Sequence, residues 1–85
     1  MLREFTEVEK LERALRGPQF DRDRHGSLFD RGSADSYYCR PRSPHWYPEG
    51  SYRGDPVEQL NPYEIEEYLA GYEYNEQYGG KKDYN

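Results

Sequence analysis

A small, mainly α-helical single domain is what this chain predicts, and three features carry the expectation. Two segments join an N-terminal capping pattern to apolar residues spaced three and four apart, and each runs out at glycine. Prolines and glycines break the stretch between them. No run alternates apolar and polar residues over a strand length, so a sheet has no source. Residues 1–79 are expected to form the domain and 80–85 a flexible tail.

The first helix is expected over about 6–16. Thr6 and Glu9 form a capping box, and Val8, Leu11 and Leu15 share a face. Glu9 with Arg13 and Glu12 with Arg16 add favourably oriented i,i+4 pairs, and Gly17-Pro18 stops the helix. A loop over 18–31 follows, with Phe20, Leu28 and Phe29 as anchors into the core. Ser33 is read as the cap of a short helical segment over about 33–40, ended by Pro41. Residues 41–60 form a proline- and aromatic-rich loop carrying Pro41, Pro44, Pro48, Pro56, Gly50 and Gly54. Within it Trp46–Tyr47, or before it Tyr37–Cys39, is expected to add a short extended pair.

The clearest helix is expected over about 62–77. Asn61 is its N-cap, Pro62 takes the first position and Glu64 completes a capping box. Leu60 is placed to staple onto Ile65. Gly79 and Gly80 follow as the stop. At 100° per residue, Ile65, Tyr68, Leu69 and Tyr72 form a core stripe, while Tyr63, Ala70, Tyr74 and Tyr78 lie opposite. A lone small domain needs one buried face, so the second stripe is expected to be an interaction surface; loop 41–56 folding over it is the alternative. Gly71 lies mid-helix, where it costs about 1 kcal/mol relative to Ala. It predicts either a close neighbour or a locally weak helix.

Composition bounds the function. The chain has 85 residues and ten tyrosines, against twelve Leu, Ile, Val and Phe together. Tyrosine rings pack like hydrophobes, but their hydroxyls need partners, which keeps many of them near the surface. A chain of this size has little room for a deep pocket. The formal charge is −5, with nine basic and eight acidic residues in 1–48 and three against nine in 49–85. A whole-protein basic footprint for nucleic acid is absent, although the arginines from Arg22 to Arg42 form a local candidate.

Site chemistry is sparse. Asp21-x-Asp23-x-His25-Gly26 opens like a calcium loop, but His25 and Gly32 stand where oxygen ligands are required, so an Asp–Arg-paired turn is expected instead. Cys39, His25 and His45 are too few for a zinc site. Cys39 reads as a half-buried small side chain in a reducing compartment. No nucleophile or phosphate-loop motif is present. The expectation is therefore no enzyme, no cofactor, no metal and no membrane partner, in a cytoplasmic protein. Trp46 is the expected core plug. With His45, Tyr47, Arg40 and Arg42 it also makes a candidate platform for stacking bases or cradling phosphate. The binding candidates are thus Arg40, Arg42, His45, Trp46, Tyr47, Tyr63, Tyr74 and Tyr78.

Gly32-Ser33-Ala34-Asp35, Tyr37-Tyr38, Pro41, Pro44-His45-Trp46-Tyr47 and Tyr68-Leu69-Ala70-Gly71-Tyr72 together resemble the layout of the ribosome modulation factor family. The run from Asp30 also resembles small bacterial and phage proteins with a P-H-W-Y turn and a closing K-K-D-aromatic tail. The resemblance spans about residues 30–84. It implies two helices with a connecting loop, ribosome binding during dormancy, and contacts at Arg40, Arg42, His45, Trp46 and Tyr47. The expected function is a small binding protein that docks on a large host assembly, the ribosome first, in a bacterial or phage-infected cell. Alternatives are an acidic nucleic-acid mimic, suggested by Glu64, Glu66, Glu67, Glu73 and Glu76, and a structural component of a larger particle.

Overall fold

The computed structural model describes residues 17–83, so the expected helix over 6–16 lies outside the described residues. A single 3-10 turn over Pro18–Phe20 is followed by helix α1 (Leu28–Tyr37) and helix α2 (Pro62–Tyr78). The fold is all-α among the described residues, with no strand. One isolated antiparallel bridge, Trp46 with Val57, closes the long connection between the helices. Trp46 therefore pairs as an extended residue, whereas Tyr37–Cys39 does not.

α1 begins earlier than the sequence reading placed it. Ser27, not Ser33, is the cap: its Oγ accepts from the Asp30 amide. The Asp30 carboxylate reaches back to the amide of Gly26 at 2.9 Å. Part of the expected loop 18–31 is thus helical, and Leu28 is its first buried residue. The C-terminus also differs. The helix ends at Tyr37 in a Schellman arrangement, with Arg40 N donating to Asp35 O at 2.8 Å and Cys39 N to Ser36 O at 3.0 Å. Cys39 occupies the left-handed position of that motif, φ 60°, normally glycine's. It is exposed, not half-buried. Pro41 is therefore not the stop; the chain has already turned.

α2 forms as its sequence predicts. Asn61 and Glu64 exchange both capping-box hydrogen bonds, each at 2.9 Å, and Pro62 opens the first turn. The helix ends against Gly79, whose amide donates to Asn75 O. Residues 81 and 82, expected in a loose tail, are bonded back to the end of α1. Lys82 N donates to Tyr37 O at 2.7 Å and Lys81 Nζ to Ser36 O at 2.9 Å.

The two helices meet backbone to backbone. A Cβ built on Gly32 would lie 2.0 Å from Tyr68 O, and one on Gly71 would lie 2.2 Å from Phe29 O. Gly71 is thus a site of close approach, where only glycine lets the helices touch. The buried apolar centre is Leu28, Tyr68 and Tyr72, with Phe20, Trp46, Leu60 and Leu69 packed around it. Ser27, Arg31, Asp35, Ser36 and Glu64 are buried beside it. Such groups must be hydrogen-bonded: Ser27 and Glu64 serve as helix caps, Ser36 accepts from Asn75 and Lys81, and tyrosine hydroxyls bond Asp35 and Arg31. Tyr68 donates to Asp35 and accepts from Ser43 N at 3.0 Å, and Tyr72 donates to Arg40 O. Tyr68 and Tyr72 each join α2 to a residue of α1 or of the segment just after it.

Candidate functional site: the exposed tyrosine face and the arginine–tyrosine cleft

The eight predicted binding residues fall into separate places. Tyr63, Tyr74 and Tyr78 lie on the outer side of α2, 48%, 55% and 74% exposed. Loop 41–56 does not cover them. Tyr74 stacks at a tilt on Phe29, centroids 5.6 Å apart, and on Tyr78, 5.2 Å apart. The face thus continues from α2 onto α1 through Phe29. With a rise of about 1.5 Å per residue, Tyr63 to Tyr78 spans about 22 Å.

Arg40, His45 and Tyr47 gather elsewhere, around an open cleft of about 290 Å³ between α1 and the long connection. Arg31, Asp35 and Tyr52 complete its chemistry. Arg31 comes from α1 and its side chain is only 4% exposed. Its Nε donates to His45 Nε2 at 3.4 Å, its Nη1 to Ser51 Oγ at 3.3 Å and its Nη2 to Tyr52 Oη at 3.0 Å. His45 Nδ1 faces Ser43 O at 2.6 Å. A carbonyl only accepts, so the ring proton sits on Nδ1, which leaves Nε2 free to accept from Arg31.

Asp35, one turn after Arg31, is the acid of the cleft. It accepts from Tyr68, lies 3.5 Å from Arg40 Nη1 and lies 3.9 Å from Arg31 Nη2. Burial, and then the bond to the Asp35 carboxylate, push the Tyr68 phenol well above its ordinary range. Tyr52 moves the other way: the Arg40 guanidinium, assisted by Arg31, lowers it.

Two predicted residues leave this group. Arg42 pairs with Glu73 of α2 and lies over the Tyr72 ring at 4.4 Å. Trp46 packs against the apolar centre as a partly buried side chain, the place of the expected core plug being taken by Tyr68, and its buried Nε1 has no acceptor among the described residues. Residues 40–47 are therefore not one free aromatic platform. The other arginines of the region are engaged as well. Arg22 forks onto Glu67 at 2.9 and 3.0 Å, and Arg24 donates to Pro48 O at 2.6 Å. The expected Asp–Arg pairing within the 21–25 turn does not form; both arginines reach other segments, while Asp21 accepts from the Asp23 amide.

Sequence reasoning missed Arg31, Asp35 and Tyr52. The first two carried a signal: Ser27 followed by Asp30 is a capping pattern that starts the helix early and sets Arg31 and Asp35 one turn apart. Tyr52 carried none, because its position depends on a turn of the connection. No group of His, Cys, Asp and Glu suited to a metal occurs among the described residues. No described helix is long and apolar enough to cross a membrane.

Comparison with protein-family models, curated proteins and solved structures finds no match for the chain.

Proposed function

We propose that this chain is a small, non-enzymatic binding protein that docks on a large host assembly through the face of Tyr63, Tyr74 and Tyr78. The observation that carries the reading is the exposure of all three rings while the core is formed by the opposite side of the same helix. At about 150–250 Å² per tyrosine, they present on the order of 300 Å² of ring-rich surface. A standard interface takes about 800 Å² from each partner, with tyrosine enriched at its centre. The stripe supplies the middle of such a patch. The ribosome is the first candidate on the resemblance to ribosome modulation factors.

The acidic-mimic reading loses support from the same helix. Glu64 is used by the capping box, Glu67 by Arg22, Glu73 by Arg42 and Glu76 by Lys81. A mimic of phosphates needs free carboxylates, and four of the five candidates are already engaged.

Co-sedimentation with ribosomes at low and moderate salt tests the proposal. The parent chain is expected to pellet with ribosomes, and the Tyr74→Ala/Tyr78→Ala double variant to stay in the supernatant with its melting temperature little changed. No association at either salt rejects the ribosome as partner. Retained association of the double variant rejects the tyrosine face.

A further inference from the structure

Arg31 and Arg40 share one acceptor, the hydroxyl of Tyr52. Arg31 Nη2 donates to it at 3.0 Å and Arg40 Nη1 at 2.8 Å. A phenol oxygen flanked by two guanidinium groups stands where the oxygen of an anion would stand. Tyr52 reaches that place at a backbone cost. Its φ is 65°, in a turn where Gly50 and Gly54 are also left-handed. A bulky residue held there stores about 1–2 kcal/mol and persists only when its surroundings hold it. The residue is 61% exposed, and what holds it is the two arginines together with the Tyr47 ring, whose centroid lies 5.6 Å from its own.

We propose that the paired guanidinium groups of Arg31 and Arg40 form a binding site for a phosphate ester, with the Tyr52 hydroxyl as a displaceable stand-in. Arg31 is preorganised by burial and by its bonds to His45 and Ser51, so little ordering remains when an anion arrives. The cleft carries two guanidinium charges against the single carboxylate of Asp35, which lies 3.9 Å from Arg31 and 3.5 Å from Arg40, so a net positive charge remains to meet an anion. A phosphate ester offers these two guanidinium groups more acceptor oxygens than a carboxylate does. The cleft volume, about 290 Å³, lies near the lower end of small-ligand sites. The rings of His45 and Tyr47 beside it suit a ligand whose phosphate is joined to a flat group. This site stands independently of the tyrosine face.

Titration of the full chain with phenyl phosphate, followed by amide chemical shifts in NMR, tests it. Saturable shifts are expected at the amides of residues 31, 40 and 52. Benzoate, the carboxylate with the same ring, is expected to bind at least about tenfold more weakly. Arg40 is half-exposed, and Arg40→Ala is expected to weaken phenyl phosphate about tenfold or more while the protein still melts cooperatively. Tyr52→Phe keeps the ring and removes the stand-in oxygen, so it is expected to tighten binding about threefold or more. A parallel titration with a single-stranded RNA hexamer lacking terminal phosphates separates the sources: binding that depends on Arg40 assigns the phosphate to a nucleic-acid backbone, and its absence assigns it to a free monoester. No saturable shift with either phosphate probe overturns the site. Equal binding of benzoate overturns its assignment to phosphate. Weaker binding by Tyr52→Phe overturns the role given to the hydroxyl.

Discussion

Gly71→Ala places a methyl group where α1 and α2 touch. On helix propensity alone the change stabilises by about 1 kcal/mol. The structure reverses the sign. The new Cβ would lie 2.2 Å from Phe29 O and 2.8 Å from Phe29 C and Cα, all backbone atoms of the facing helix. No rotamer change can relieve that contact. Ordinary contact begins at 3.4 Å, so the helices must part by 3.4 − 2.2 = 1.2 Å at the crossing. Gaps of about 0.5–1 Å already forfeit a quarter to a half of the dispersion well between facing atoms. Overpacking costs about 1–3 kcal/mol, and rigid backbone on both sides puts this site at or above the upper end. Set against the propensity gain, the net loss is about 2 kcal/mol. At about 4–8 °C per kcal/mol for a domain of this size, the melting temperature falls by about 8–16 °C. Thermal circular dichroism at 222 nm measures it, with Gly80→Ala as the control, since nothing lies within 4 Å of a Cβ there. A melting temperature at or above the parent's for Gly71→Ala would refute the backbone-contact argument.

Further expectations concern single groups. Cys39→Gly removes the cost of a left-handed side chain, about 1–2 kcal/mol, against a chain-entropy loss of about 0.5–1 kcal/mol; a net rise in urea-melt stability of a few tenths to about 1 kcal/mol is expected. Trp46→Phe keeps most of the packed ring and removes the orphan indole N–H, so it is expected to cost less than about 1.5 kcal/mol, whereas Trp46→Ala costs about 3 kcal/mol or more; equal losses in denaturant melts would contradict the packing role. Tyr68 titrates above its unfolded value of about 10, so above that pH the native state holds a proton that the unfolded chain releases. Its contribution is complete below about pH 10 and is lost as pH rises further; Tyr52, shifted downward, opposes this weakly because it is exposed. Tyr68→Phe is expected to lower stability at neutral pH by about 1–3 kcal/mol and to flatten the decline above pH 10, read from denaturant melts across that range.

The part of the fold that local chemistry controls was legible. α2 carried its own cap, staple residue, periodicity and stop, and it formed within a residue of the expected bounds. Its two faces were also legible, because 3.6-residue periodicity separates Tyr68 and Tyr72 from Tyr63, Tyr74 and Tyr78 whatever they meet. α1 starts earlier than Ser33 implies because Ser27, with Asp30 three residues later, caps it. Its end was misread because a cysteine took a glycine's conformation, which local preference argues against. The cleft was legible only in part. Arg40, His45 and Tyr47 belong to one stretch of chain, but Arg31 and Tyr52 reach it through the glycine crossing and a strained turn. Arg42 and Trp46 left the predicted group through long-range partners, Glu73 and the apolar centre, that no local pattern encodes.

Among the described residues the interior holds few bare hydrocarbon groups. Leu28 is the sole aliphatic side chain fully sealed among the described residues; the other buried side chains carry hydroxyl, carboxylate and guanidinium groups, and Phe20, Trp46, Leu60 and Leu69 around them are only partly buried. Unfolding would expose apolar surface, which raises the heat capacity, together with much polar surface, which lowers it. The two contributions offset each other more than in an aliphatic interior. Free energy plotted against temperature should therefore be a broad, shallow dome, and the fold should hold nearly the same margin in the cold as in moderate warmth.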